Sequence, residues 1–135
     1  VSYAEEPEFI VPPTVAQDPA ALSRFNEANK AAFAGYRALI EAGIPAEDAR
    51  YVLPNAMETK IVVTMNVREL LHFFELRCCN RAQWEIRDLA LSMLDLVEPT
   101  APYVFVDAGA SCRRGPCREN KMTCGDPYPK APIRD

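Results

Sequence analysis

Glycine is sparse, with 5 in 135 residues. There is no phosphate-cradling Gly-rich loop and no Gly-x-Ser-x-Gly turn, so the familiar nucleotide-loop and serine-hydrolase motifs are ruled out. Histidine is scarcer still: His72 is the only one. A His-pair metal site therefore cannot be built, nor a Cys–His couple with alternatives. No apolar run approaches the roughly 18 residues a membrane span needs, so no membrane partner is expected. No charged-then-apolar leader suggests secretion. Positive charge is not in excess. Lys plus Arg is 15 and Asp plus Glu is 19, a formal net charge of -4. That balance does not suit coating a nucleic acid polymer, although a local basic patch is compatible with it. Five cysteines cannot all pair internally, and a reducing cytoplasm is the default compartment. The chain opens Val1-Ser2-Tyr3 without a Met, and the expectation is a removed start or a longer protein.

What is present is a globular composition, 49% apolar and 25% charged, of one-domain size. Residues 1–16 read as an extended arm, where Pro12-Pro13 opposes a helix. Asp18-Pro19 is a cap followed by a first-turn proline. Leu22, Phe25, Phe33, Tyr36, Leu39 and Ile40 then share a face up to Gly43, which predicts a helix over about 19–42. Residues 44–50 read as a turn and short helix ended by Pro54. Ile61-Val62-Val63-Thr64 marks residues 57–65 as the one clear strand candidate. A lone strand makes no sheet, so its partner is expected from elsewhere. Asn66 with Glu69 predicts a helix starting at Val67, and Asn80 with Gln83 predicts a second. Pro99 and Pro102 close the latter. Tyr103 to Val106 is a strand or a helix turn, and from Gly109 the chain reads as a tail. The expected division is 1–108 and 109–135.

The polar groups set into these apolar elements are mostly arginines. Arg50 precedes Tyr51-Val52-Leu53-Pro54. Asn66 and Arg68 lie where strand and helix meet, and His72 follows Arg68 by four residues on one helix face. Arg77 closes the run Leu70–Leu76, and Arg81 and Gln83 follow. Two readings stand side by side. Arginine suits bidentate recognition of phosphates and carbonyls, and the helix N-termini at Val67 and Arg81 attract anions. The commoner alternative is ordinary surface pairing with Glu58, Glu69, Glu75 or Glu85. Asn66 as a plain cap and His72 as a structural residue belong to that alternative.

Cys112, Cys117 and Cys124 form C-x4-C-x6-C among Arg113, Arg114, Arg118 and Lys121. A zinc site prefers four ligands at tighter spacing, so no metal is assigned. One disulfide with a spare thiol, or three free thiols in a solvated tail, fits better. The basic residues of this stretch could steer anionic nucleotides or folate.

Several blocks occur together in order: Arg50-Tyr51-Val52-Leu53-Pro54, Glu58-Thr59, Thr64-Met65-Asn66-Val67-Arg68, Leu71-His72-Phe73, Leu76-Arg77 and Ala82-Gln83-Trp84-Glu85-Ile86-Arg87. Over residues 9–106 this pattern resembles the C-terminal half of flavin-dependent thymidylate synthases. The resemblance implies an α/β fold, a sheet framed by helices, to which this part gives mainly helices and one or two strands. It implies conversion of dUMP to dTMP, with methylenetetrahydrofolate as carbon donor and NADPH-reduced FAD as hydride donor. The implied assembly is a homotetramer. By position, Arg77 is the catalytic residue that binds dUMP and favours ionisation of the uracil N3, and Arg50 also contacts dUMP. Asn66, Val67, Arg68 and His72 match the FAD-contacting segment. No cysteine is needed as nucleophile, so Cys78 and Cys79 carry no implied role.

Two departures matter. The family's Arg-His-Arg signature run is absent, so activity is expected only with a complementary N-terminal half; the alternative is a non-catalytic interaction or scaffold fragment of that fold, with or without a metal-binding Cys tail. Many members also have histidine where this chain has Arg81.

Overall fold

The computed structural model describes residues 7–128; residues 1–6, with Val1-Ser2-Tyr3 among them, and residues 129–135 lie outside the described residues. The chain forms two compact units, Val1–Val62 and Val63–Asp135.

In the first unit, Asp18 accepts hydrogen bonds from the Ala20 and Ala21 amides at 2.9 and 3.2 Å. It thereby caps a helix over Pro19–Glu41 that begins with the expected proline. At the other end Gly43 has φ +83. Its amide reaches the Ile40 carbonyl at 2.9 Å, and the Ile44 amide reaches Leu39 at 3.0 Å. This pair of hydrogen bonds to the last turn is the glycine-terminated stop the sequence predicts. One turn precedes the long helix, α1 over Pro13–Ala16, so the long helix is α2. Pro12-Pro13 therefore does not exclude a helix there. Proline lacks only an amide that the first turn would leave unpaired, and Pro13 occupies that first position.

Helix α3, Ala46–Ala49, runs into a 3-10 turn over Arg50–Val52. Phe33, Tyr36 and Ala49 are buried together, with Phe9, Leu39, Leu53 and Met57 against them. Burial of each ring contributes about 2–3 kcal/mol. The arm meets the body through one antiparallel bridge, Phe9 to Met57. The Ile10 amide donates to Ala56 and the Glu58 amide to Glu8, at 2.7 and 2.9 Å. A hydrogen bond with Glu8 and its like charge push the Glu58 carboxyl above its ordinary range.

Beyond that bridge the strand candidate at 57–65 pairs with nothing, and no strand is found among the described residues. Ile61, Val62 and Val63 are 78%, 101% and 59% exposed. The β-branched run has the propensity for a strand but no neighbouring edge, and propensity alone does not make a ladder.

In the second unit α4, Val67–Arg77, packs on α5, Trp84–Val97. Asn66 accepts from the Glu69 amide at 3.0 Å and fixes the start of α4 as predicted. The start of α5 differs from expectation. Gln83 is the cap, accepting from the Glu85 and Ile86 amides at 3.0 and 3.1 Å. Asn80 instead accepts from Arg87 at 2.9 Å and donates to the Asp126 carbonyl at 3.2 Å. Tertiary partners thus take the Asn80 side chain away from a capping role. Pro99 sits in a 3-10 turn over Glu98–Thr100 that follows α5. Tyr103 to Val106 resolves as a helix turn, α6 over Pro102–Phe105.

Phe74, Cys78, Ala90, Leu94 and Phe105 form the core with Ala108, Ala110 and Cys112. Phe74 meets Phe105 edge to face, with ring centroids 6.4 Å apart. Residues 109–128 are not a freely solvated strand of chain. Cys112 is buried in this core, and Cys117 and Tyr128 pack against it. Gly109, at φ +123, leaves room for the Arg113 side chain, whose Nη1 donates to the Ala108 carbonyl at 2.8 Å. A Cβ on Gly109 would stand 2.8 Å from Arg113 Cδ.

Candidate functional site on helix α4

The capped first turn of α4 sets out Val67 and Arg68, and successive turns add Leu71, His72 and Glu75. These positions recur at spacings of three and four and lie along one face. Arg114 approaches that face from the Cys-rich segment and pairs with Glu75 at 2.8 Å. Together the six side chains line an open hollow of about 430 Å³. Its size is within the usual range of small-molecule sites. Val67 and Leu71 supply apolar wall, while Arg68 and Arg114 supply two permanent cations beside one carboxylate. Such a lining suits a flat apolar ring that carries an anionic group.

Three of the residues singled out for flavin, Val67, Arg68 and His72, are therefore brought together in the hollow. Asn66 stands at its edge as the helix cap, so the plain-cap reading holds for its Oδ1. Arg77 lies at the far end of α4, exposed, and does not line the hollow. Arg50 belongs to the first unit. Its Nε donates to the Ala46 carbonyl at 3.1 Å, which leaves the rest of the guanidinium exposed.

The surface-pair alternative is not what the structure holds. Glu75 pairs with Arg114 and Arg118, and Glu58 with Lys60. Among the described residues Arg50, Arg68, Arg77 and Arg81 have no carboxylate partner. All four are exposed.

The chain has five cysteines. All five are free thiols. Burial pushes the Cys78 thiol up from 9.0 to about 11, which makes it a poor nucleophile at neutral pH. No group of three or more His, Cys, Asp or Glu side chains that could hold a metal is found among the described residues.

Comparison with known proteins bears on the same residues. The family model described as thymidylate synthase complementing protein matches residues 1–103. The chain belongs to this family. Its curated relatives carry the name flavin-dependent thymidylate synthase. The protein of Geobacter sulfurreducens is 59% identical over 116 residues, covering 86% of this chain and 50% of the relative. That of Nitratidesulfovibrio vulgaris is 48% identical over 128 residues, covering 87% and 52%. That of Saccharolobus solfataricus is 50% identical over 103 residues, covering 76% and 39%. The chain thus spans about half the length, or less, of these relatives.

The span matched by the family model, residues 1–103, includes Arg68 and His72 of the hollow but not Arg114. Arg114 was legible only as one basic residue in a Cys-rich stretch. Its contact with Glu75 spans 39 positions of sequence, and no local pattern encodes a contact of that range. Among the described residues no helix is long and apolar enough to cross a membrane.

Proposed function

We propose that this chain is the C-terminal, ligand-binding part of a flavin-dependent thymidylate synthase that converts dUMP to dTMP. Methylenetetrahydrofolate is the carbon donor, and FAD reduced by NADPH supplies the hydride. The observation that carries the reading is the state of the arginines. Arg50, Arg68 and Arg77 stand at the family's ligand-contacting positions, exposed and without carboxylate partners among the described residues. Pairing with a glutamate would occupy these donors, whereas an exposed, unpaired guanidinium keeps them open to an anionic ligand.

On this reading Arg77 and Arg50 hold dUMP. The Arg77 guanidinium faces the uracil, and its fixed charge favours the N3-deprotonated ring as negative charge develops there. Val67, Arg68 and His72 hold FAD in the hollow on α4, with Asn66 fixing the turn that presents them. The apolar wall of Val67 and Leu71 and the cation of Arg68 fit a flavin with its phosphates. Residues 57–65, β-branched at Ile61-Val62-Val63 and unpaired beyond the contacts at Met57 and Glu58, become a strand when the family's sheet is completed. The completing edge comes from a complementary N-terminal half or from other subunits of a homotetramer, and the chain alone is inactive. The family domain is read over residues 1–108 and a Cys-rich segment over 109–135, whose Ala110 and Cys112 pack into the core of the second unit. The compartment is the cytoplasm.

The test is dTMP formation by this chain assembled with its N-terminal complement. Arg77→Ala should lower turnover by about a hundredfold or more, with an unchanged circular dichroism spectrum. Wild-type turnover in that variant would remove Arg77 from the mechanism.

A further inference from the structure

The Cys-rich segment, which follows the family-model span of residues 1–103, carries a cation into the hollow on α4. We propose that Arg114 binds a phosphate group of the flavin dinucleotide, so that the Cys-rich segment forms part of the cofactor site. The inference rests on the FAD reading above and adds a residue that lies outside the matched residues 1–103.

The first ground is placement. Arg114 lines the hollow together with Arg68, His72 and the apolar pair Val67 and Leu71. Two guanidinium groups face a single carboxylate there, so the hollow has a surplus of positive charge for an anion to meet.

The second ground is unused donor capacity. Arg114 gives only Nη2 to Glu75 Oε2, at 2.8 Å. Arg118 takes the other oxygen, Oε1, at 2.5 Å. The carboxylate is thereby divided between two arginines, and neither makes the two-pronged pairing that would consume its fork. Arg114 Nε and Nη1 have no partner among the described residues. A guanidinium with one edge pinned and the rest open is arranged to grip a phosphate oxygen.

The third ground is rigidity. Arg114 follows the buried Cys112, and its amide donates to the Ser111 carbonyl at 3.2 Å. The neighbouring Arg113 is tied to the Ala108 carbonyl through the space that Gly109 leaves. Cys112 Sγ accepts from the Tyr128 amide at 3.4 Å. The side chain is thus presented by ordered backbone, which lowers the entropy lost on binding. Arg118 serves as an internal control. It shares the clamp on Glu75 but does not line the hollow.

The experiment is fluorescence titration of FAD and of riboflavin, which has no phosphate, into the chain assembled with its N-terminal complement. Arg114→Ala should weaken FAD by about tenfold and leave riboflavin within about twofold. Arg114→Gln, a shorter side chain that keeps an amide donor without the charge, should do the same. Arg118→Ala should leave both ligands within about twofold of wild type. Unchanged FAD affinity in both Arg114 variants overturns the proposal. So does an equal loss in Arg118→Ala, which would mean that only the clamp on Glu75 matters, or an equal loss of riboflavin. If wild type takes up neither flavin, the FAD reading itself falls and this inference with it.

Discussion

Two stretches of the second unit use arginine in opposite ways. On α4, Arg68 and Arg77 project guanidinium groups that meet no carboxylate among the described residues. From α5 onward, arginine builds structure. Arg87 joins Asn80 to Tyr128, Arg113 closes on Ala108, and Arg114 and Arg118 seize Glu75. The chemistry of the side chain is the same in both regions, so the difference lies in what the fold offers each one. A cation whose donors are satisfied holds the chain together. A cation left open is available to a ligand. Arg114 belongs to both groups, because it is pinned at one edge and open at the other.

That contrast predicts separate consequences for activity and stability. The largest effect is expected for Arg77→Ala, with turnover down by about a hundredfold or more and the urea midpoint almost unmoved. A clear drop in midpoint would place Arg77 with the structural arginines. Gly109→Ala should do the reverse. Its φ of +123 and the 2.8 Å approach to Arg113 Cδ force strain of about 1–3 kcal/mol. Urea unfolding should show that loss, and an unchanged midpoint would mean the Arg113 closure adds nothing. Asn66→Ala should cost about 1 kcal/mol through the lost cap of α4, again read by urea unfolding. Glu75→Gln releases both Arg114 and Arg118, yet those side chains are 42% and 73% exposed. Screening by solvent limits the expected loss to about 1 kcal/mol or less.

Cys78 gives a pH signature for the core that the arginine segment covers. Its thiol is pushed up to about 11 from an ordinary 9.0 by burial. The folded state therefore holds this proton over a range where the unfolded chain releases it. The contribution is fully present below pH 9 and is lost as pH rises from about 9 to about 11. Urea midpoints at pH 7.5 and 10.5 measure it, and Cys78→Ala should flatten the difference.

How much of this was legible in sequence follows the range of the interactions. Asp18, Gly43 and Asn66 act within four residues of themselves, and each does what its local pattern indicates. The blocks around Arg50, Asn66 and Arg77 likewise pointed to the family that the comparison establishes. Ile61-Val62-Val63 reads as a strand because propensity is local, yet a strand needs a second edge and here has none beyond the bridge at Met57. Asn80 looks like a cap but is drawn to Arg87 and Asp126, seven and 46 positions away. The stretch after Gly109 has no periodicity to announce order. Its order comes from Cys112 and Tyr128 in the core and from the grip on Glu75, contacts that no local window contains. The site is divided in the same way: Arg68 and His72 at i and i+4 are visible on a helical wheel, and Arg114 is not.

The most direct test of the claim that open guanidinium groups on α4 hold the ligand is flavin retention. The chain assembled with its N-terminal complement is mixed with FAD and dUMP and passed through a desalting column, wild type beside Arg68→Ala. Flavin absorbance should travel with the wild-type protein and be largely lost from the variant. Equal flavin on both proteins would contradict the account.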